Sequence, residues 1–200
     1  GTVATTTNIA SAFTQRTTGI SSSSSCSSAS NGSRILITSG STTSYSDDGG
    51  VNWTSGGSVA GQTFSNVIWD GSKFISGGYT GSSVGAIYTS TDGTSWSTVH
   101  STASNYTVMH SLVYYNGVYV ASDSAANIYQ SSDGISWERL ASGSTFVGPL
   151  ISDNSSKILC VNGVGYTIPF YTYNTATNFV VPTQTSVPSN GTVQLYIKAE

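Results

Sequence analysis

The chain has 200 residues, a net charge of −3 and only 8% charged residues, against about a quarter in ordinary soluble domains. A weak negative charge without a basic run excludes the electrostatic footprint of a nucleic-acid-binding protein. No apolar stretch approaches the length of about 18 residues that a spanning helix needs, so we predict neither nucleic-acid binding nor membrane insertion.

Three copies of one phrase divide the chain into units of about 40 residues. They read YSDDGGVNW at 45–53, YTSTDGTSW at 88–96 and YQSSDGISW at 129–137. In each copy the Asp-Gly pair predicts a hairpin turn. We expect the Asp to accept hydrogen bonds from the turn and from the preceding Ser, and the Trp to pack between sheets. These structural residues are Ser46, Asp48, Trp53, Ser90, Asp92, Trp96, Ser131, Asp133 and Trp137.

A second series of turns runs in step with the first. Asn or Asp, mostly followed by Gly, precedes an apolar run at positions 31, 70, 116, 153 and 190, which is typical of a first hairpin. Phe13 and Phe179 continue the Trp series in both directions. Together the two series predict one four-stranded unit repeated five times. In the second unit, strands A to D are expected near 66–69, 73–77, 86–90 and 95–100.

Units of this size predict an all-β fold, a β-propeller with five four-stranded blades in a single domain. Four blade repeats are expected near 17–55, 56–99, 100–140 and 141–181. The fifth blade is split between 182–200 and 1–16, so that the two termini pair and no sheet edge is left exposed. A ring of four blades with separate terminal arms is the alternative.

The repeated phrase resembles the Asp-box (BNR) repeat of sialidase-like propellers. The resemblance implies that the box holds the fold together away from the catalytic face, so its aspartates are not expected to be catalytic. Sialidases hold the substrate carboxylate with three arginines, but Arg16, Arg34 and Arg139 occupy different repeat positions. The only glutamates are Glu138 and Glu200. Once the aspartates of the boxes and turns are set aside, these two, Asp47 and Asp123 remain, and the sequence places no two of them as the pair that glycoside hydrolysis requires. We therefore predict no enzymatic activity, and keep a degenerate sialidase-like hydrolase as an alternative.

Ligand contacts are expected on the face that carries the B–C and D–A loops, since binding residues gather on loops held by a rigid scaffold. Tyrosines among hydroxyl and amide groups are typical of sugar or protein recognition, although packing between blades would explain them equally well. The candidate receptor-binding residues are Tyr79, His100, Tyr106, His110, Asp123 and Tyr166. A structural Ca²⁺ ion is a further expectation, without assigned ligands.

The two cysteines, Cys26 and Cys160, fall in blades that are not neighbours in a ring of five. A disulfide requires Cα atoms within about 7 Å, so we predict two buried, unbonded thiols. A disulfide between them is the alternative, and it would argue against five blades.

Low charge with abundant Ser, Thr, Gly, Asn and Tyr is typical of phage fibres and spikes, adhesins and secreted lectins. The composition therefore predicts a non-enzymatic receptor-binding domain of a bacteriophage spike, on the virion surface. Its partner would be a glycan or another envelope component of the host cell. The opening at Gly1 rather than Met indicates a mature domain or an excised piece, and a spike should have a stem or oligomerisation segment upstream of Gly1. A secreted or surface-bound bacterial lectin or adhesin module is the main alternative.

Overall fold

The computed structural model describes residues 2–5, 14–20, 26–115, 117–142, 147–152 and 158–162. These residues form sixteen β-strands and no helix. An N-terminal hairpin of β1 (Thr2–Thr5) and β2 (Thr14–Thr17) comes first. Sheet I follows with β3 (Cys26–Ser30), β4 (Ile35–Ser39), β5 (Thr42–Ser46) and β6 (Thr54–Ser58).

Two further four-stranded sheets repeat this pattern. Sheet II consists of β7 (Gln62–Trp69), β8 (Phe74–Thr80), β9 (Val84–Ser90) and β10 (Ser97–Asn105). Sheet III consists of β11 (Met109–Tyr115), β12 (Val118–Asp123), β13 (Asn127–Ser131) and β14 (Glu138–Ser142). The strands β15 (Val147–Ser152) and β16 (Ile158–Asn162) pair with each other. The four strands predicted for the second unit are confirmed, although all four are longer than predicted.

The first strands of successive sheets lie side by side. The Val67 amide in β7 donates a hydrogen bond to the Ser27 hydroxyl in β3 over 3.0 Å. The Asn66 side-chain nitrogen Nδ2 donates to the Leu112 carbonyl in β11 over 3.3 Å. The strand β11 also contacts β15. This neighbour-to-neighbour stacking is the arrangement expected of propeller blades.

The core lies between the sheets. Leu36, Val67 and Phe74 form one buried cluster between sheets I and II. A second cluster, between sheets II and III, contains Ile75, Met109 and five further buried residues. Because each middle strand is covered on both sides, β8 is buried almost along its whole length. The five buried residues of β8 are accordingly apolar or small, Phe-Ile-Ser-Gly-Gly, and do not alternate with charged ones.

The first copy of the repeated phrase is offset from the other two. In the sheets, Ser46 pairs with Ile35 just as Ser90 pairs with Phe74 and Ser131 with Tyr119. Trp53 follows Asp48 by five positions, whereas Trp96 and Trp137 follow the Asp of their copies by four. The first copy therefore has one extra residue after Asp48. Tyr45 consequently lies one position away from the place of Tyr88 and Tyr129, on the other side of its strand. It stands beneath Arg34, whose guanidinium lies 3.8 Å from the ring centroid.

Only part of the predicted ring closure can be followed. The hairpin of β1 and β2 has the strands expected at 1–16, whereas 182–200 lies outside the described residues. The five-blade count and the blade boundaries therefore stay predictions. Cys26 is exposed, so the prediction that it is buried was wrong, because β3 alternates between exposed and half-buried residues and Cys26 lies on its exposed side. The Cys160 side chain is not described. Among the described residues, no helix is long and apolar enough to span a membrane.

Candidate functional site

The turns that follow β5, β9 and β13 share one hydrogen-bond pattern, and we call them the repeat turns (46–53, 90–96 and 131–137). In each, the Ser hydroxyl donates to the Asp carboxylate over 2.8 to 3.0 Å. The Gly amide donates to the same Ser over 2.7 to 2.8 Å. Two further backbone amides donate to each Asp Oδ1. The aspartates therefore satisfy the donors of their own turns.

The hydrogen bonds stabilise the charged form of these aspartates. The Asn52 amide, with further donors, lowers the pKa of Asp48 to about 2. The Ser136 and Ile135 amides lower the pKa of Asp133 to about 2. Burial raises the pKa of Asp92, but the Ser95 and Thr94 amides outweigh it and hold the value below the usual range. A carboxylate fixed in this way is a poor proton carrier at neutral pH, which is consistent with a structural role.

Trp96 and Trp137 pack against buried clusters, and the indole N–H groups of the three repeat turns differ in their hydrogen bonds. Trp53 Nε1 donates to the Gly50 carbonyl over 2.9 Å, and Trp96 Nε1 to the Gly93 carbonyl over 3.1 Å. Trp137 Nε1 is buried without a partner among the described residues.

The remaining charges on the face of the repeat turns are also engaged in structural contacts. Arg34 forms a bidentate pair with Asp47, with both distances 2.7 Å, and donates to the Asp92 carbonyl across the sheet boundary. Lys73 Nζ lies 2.9 Å from Asp70 Oδ2. Arg16 and Arg139 lie on β2 and β14, so the three arginines come from three different sheets.

The opposite face contains a cavity of about 380 Å³. It is formed where the β4–β5 turn of sheet I, the start of β7 and the start of β11 come together. Tyr79, Phe64, Val108 and His110 form its apolar and aromatic wall. Hydroxyl groups come from Thr63 and Ser65, and Gly40 completes the lining. No acidic side chain is among these residues.

Two β-bulges direct side chains towards this cavity. The pairing of β7 with β8 skips Ser65, and the pairing of β11 with β12 skips His110. Ser65 directly precedes Asn66, and His110 directly precedes Ser111. Asn66 and Ser111 are paired residues that occupy the same position in their repeats. A bulge leaves one residue unpaired and re-aims its side chain. The repeat thus places Ser65 and His110 in equivalent positions on the cavity wall.

A buried polar cluster centres on Asp123, which is fully buried. Its carboxylate accepts hydrogen bonds from the Ala125 and Asn127 amides, the Asn127 side chain and the Tyr129 hydroxyl, all between 2.8 and 2.9 Å. Burial and the neighbouring Asp123 raise the pKa of Tyr129, so its hydroxyl keeps its proton. Asp123 therefore stabilises the β12–β13 turn and has no surface to offer a receptor.

Both histidines are held in their neutral form. The His100 ring packs at 5.0 Å from the Tyr129 ring, and its Nε2 is buried without a partner among the described residues. Burial lowers the pKa of His100, and the charge of Asp123 only partly opposes this. Burial likewise lowers the pKa of His110, and the charge of Asp123 again opposes this only in part. The cavity wall is therefore uncharged at neutral pH.

The structure separates the six candidate receptor-binding residues into groups. Tyr79 and His110 line the cavity, and Tyr106 lies in the β10–β11 turn with 88% of its surface exposed. His100 and Asp123 belong to the buried cluster, in strands rather than loops. Tyr166 lies outside the described residues. The sequence reading missed Phe64, Thr63 and Ser65, although an alignment of β7 with β11 pairs Ser65 with His110.

The metal expectation gains no ligand set. Among the described residues, no group of three His, Cys, Asp or Glu side chains could hold a metal ion. The binding of Ca²⁺ stays an expectation from sequence.

Comparison with known proteins identifies the fold. A family model described as the DUF6242 beta propeller domain matches residues 65–199, and no curated protein matches the chain. The extracellular domain of a putative hybrid two-component system from B. thetaiotaomicron is similar, with a TM-score of 0.60 at 13% identity over 82% of this chain and 22% of that one. The structure of YCF48 bound to D1 peptide is similar with a TM-score of 0.58 at 17% identity, over 77% of this chain and 53% of that one.

A GH74 enzyme of Niastella koreensis gives a TM-score of 0.54 at 20% identity, over 81% of this chain and 24% of that one. The chain thus spans between 22 and 53% of the length of these three proteins. At such identities the likeness shows the fold alone. The predicted β-propeller is confirmed.

Proposed function

The chain belongs to the DUF6242 β-propeller domain family, and from that premise we propose that it is a non-enzymatic domain that binds a surface receptor through the cavity lined by Tyr79 and His110. Propellers present loops and strand ends from several blades on one face, where a ligand can meet side chains from different sheets. The cavity has this composite origin, because sheets I, II and III all contribute to its wall.

The chemistry of the cavity wall carries the proposal. Binding sites combine an apolar and aromatic lining with a few placed polar groups, and here Phe64, Tyr79, Thr63, Ser65 and His110 supply that combination. General acid–base catalysis at a sugar or an ester needs a titratable pair within reach of the substrate. Within the described part of the wall, His110 is the only titratable residue besides Tyr79, and the buried Asp123 accepts its hydrogen bonds from within the protein.

The biological setting that we propose is attachment of a bacteriophage spike to its host, in which the domain follows an upstream stem at the virion surface. Its support is the composition, since hydroxyl-rich strands keep an uncharged β-domain soluble outside the cell. The second candidate is a bacterial extracellular module. The similarity to an extracellular domain from B. thetaiotaomicron favours it. Both settings use the same receptor-binding face.

The proposal is tested by binding measurements on the purified domain. The wild type and the His110→Ala and Tyr79→Ala variants are applied to a broad glycan array and to immobilised envelope preparations, first with Ca²⁺ and then with chelator. Ile135→Ala is the matched control, because Ile135 is 53% exposed in a repeat turn on the opposite face. We expect specific binding that falls at least about tenfold in the cavity variants, a loss of about 1.4 kcal/mol, and is unchanged in the control.

Two outcomes would contradict the proposal. Binding that survives both cavity substitutions but is lost in Ile135→Ala would place the receptor on the face of the repeat turns. Release of a product from the bound glycan would make the domain an enzyme and favour the hydrolase alternative. A change on chelation would place an ion near the same face.

A further inference from the structure

Tyr106 occupies a backbone position that the preceding repeat gives to glycine. A bulge follows Phe64 in β7 and Met109 in β11. Gly61 lies three residues before Phe64, and Tyr106 lies three residues before Met109. Their φ angles are 70° and 62°, in the left-handed region that side chains with a Cβ rarely adopt. The fold therefore accepts glycine here, and Tyr106 is held in a conformation that costs free energy relative to glycine.

Burial does not repay this cost, because 88% of the Tyr106 surface is exposed. Strained residues of this kind persist where the surrounding structure fixes them, and they concentrate at ligand-binding sites. The backbone that directly follows Tyr106 is held by two neighbouring turns. The Thr107 amide donates to the Ser83 carbonyl of the β8–β9 turn over 3.1 Å, and the Ser124 amide of the β12–β13 turn donates to the Val108 carbonyl over 2.9 Å. The exposed ring thus stands on a turn that sheets II and III both hold.

The same turn leads directly into the cavity wall. Val108 and His110 line the cavity and follow Tyr106 by two and four residues. Two residues span at most about 7 Å of chain, so the Tyr106 backbone lies close to the cavity rim. The β8–β9 turn that Thr107 contacts begins just after Tyr79, the aromatic residue inside the cavity. Two tyrosines therefore flank one binding region, one inside the cavity and one at its rim.

We propose that Tyr106 is a platform on which the ring of an uncharged saccharide stacks, while the adjoining sugar places its hydroxyl groups against Thr63, Ser65 and His110 in the cavity. This inference rests on the proposed function and specifies its ligand. A sugar ring offers an apolar C–H face to an aromatic side chain and hydroxyl groups to polar ones, and the two parts of this site match those two parts of the ligand.

The absence of charge in the wall selects against other ligand classes. The lining residues that the structure describes include no Lys, Arg, Asp or Glu, so a sialylated or phosphorylated ligand would be desolvated there without a counter-charge, which is costly. Neutral His110 can both donate and accept a hydrogen bond, as a hydroxyl partner requires. A purely apolar ligand would leave the hydroxyl groups of Thr63 and Ser65 unpaired.

The test uses substitutions whose effects on stability and on binding have opposite signs. Tyr106→Gly restores the residue that fits the backbone, and Tyr106→Phe keeps the ring. We expect Tyr106→Gly to raise the melting temperature and to weaken binding to neutral oligosaccharides at least about tenfold on an array that carries neutral and sialylated forms. Tyr106→Phe should bind within about threefold of the wild type, because stacking needs the ring and not its hydroxyl.

The outcomes distinguish this inference from the proposed function. If Tyr106→Gly binds like the wild type while His110→Ala loses binding, the platform is overturned and the cavity function stands. If neither variant loses binding, both the platform role of Tyr106 and the proposed binding function of the cavity are contradicted. A preference of the wild type for sialylated forms, or silence on every saccharide, overturns the ligand class, and binding to envelope preparations then decides the proposed function separately.

Discussion

The Tyr119 hydroxyl donates a hydrogen bond of 2.7 Å to Asp70 Oδ2, and this bond joins the first hairpin of sheet II to the second strand of sheet III. The Asp70 side chain is 1% exposed and also lies 2.9 Å from Lys73 Nζ. Burial raises the pKa of Asp70, but Lys73 and Tyr119 outweigh it and hold the value far below its usual range. A buried charge of this kind depends on every partner, because each lost donor leaves it less compensated.

Tyr119→Phe should therefore destabilise the domain although it removes a single oxygen. A hydrogen bond to a charged group contributes about 1.5 to 3 kcal/mol, and we expect a loss of unfolding free energy in that range from urea denaturation. Tyr114→Phe is the matched control, since Tyr114 packs against Tyr119 with ring centroids 4.4 Å apart but is partly exposed. Equal effects of the two substitutions would show that the bond to Asp70 contributes nothing specific.

Asp133→Asn should reduce the pH dependence of stability in acid. The folded-state pKa of Asp133 is about 2, below its ordinary value of 3.8. The unfolded chain therefore binds the proton first, so the contribution is complete above pH 3.8 and is lost as the pH falls towards 2. The amide oxygen can still accept from the Ile135 and Ser136 amides. Thermal melts between pH 2 and 6 should show a shallower decline for the variant.

Glu138→Gln is the control for that comparison, because Glu138 is an exposed carboxylate just outside the same repeat turn. The melting temperature of Glu138→Gln should decline with falling pH in parallel with that of the wild type. If Asp133→Asn also follows the wild-type curve, the acid sensitivity arises elsewhere and the hydrogen bonds of Asp133 do not set it.

The parts of the fold that could be predicted from sequence are those with local chemical causes. Asp-Gly pairs specify turns through residues adjacent in the chain, and so the repeat turns and the four strands of sheet II were correctly placed. Tyr45 directly precedes Ser46, whereas Tyr88 and Tyr129 stand two residues before the Ser of their copies. A strand shifts sides with a single residue, and the pairing of Ser46 with Ile35 in β4 shows which side Tyr45 takes.

The candidate site was predictable in part for the same reason. Tyr79 and His110 were chosen as residues of the loops on one face. They lie instead near the ends of strands β8 and β11, and both line the cavity. The bulges at Ser65 and His110 arise from the pairing of first strands with second strands, which the sequence does not display. The burial of Asp123 likewise results from hydrogen bonds that form only once the β12–β13 turn is folded.

His100→Phe should make the domain less sensitive to mild acid. The buried His100 has a pKa below its ordinary value of 6.5, so the unfolded chain takes up a proton that the folded chain resists. Stability therefore falls as the pH drops below 6.5, and it is unaffected above. We expect the difference in unfolding free energy between variant and wild type to shift in favour of the variant from pH 7.5 to pH 5. A constant difference would show that His100 does not titrate on unfolding.

Gly134→Ala tests the contact between a repeat turn and the sheet beside it. Gly134 has a φ of 71°, and a Cβ there would stand 2.8 Å from Ile75 Cδ1 in sheet II. Gly117 has a φ of 81° with nothing within 4 Å of such a Cβ, so Gly117→Ala measures the backbone cost alone, about 1 to 2 kcal/mol. We expect Gly134→Ala to lose a further 1 to 3 kcal/mol or so from overpacking.

A second substitution separates the packing cost from the backbone cost at Gly134. Ile75→Val shortens the side chain that the new Cβ would meet, and by itself it should cost about 0.5 to 1.5 kcal/mol. In combination with Gly134→Ala, the loss should be smaller than the sum of the two single losses, because the clash is relieved and only the backbone cost remains. A double-mutant cycle in urea measures this coupling directly. Additive losses would mean that the turn moves away from Ile75 instead, and that the close approach of the repeat turn to sheet II is not required for stability.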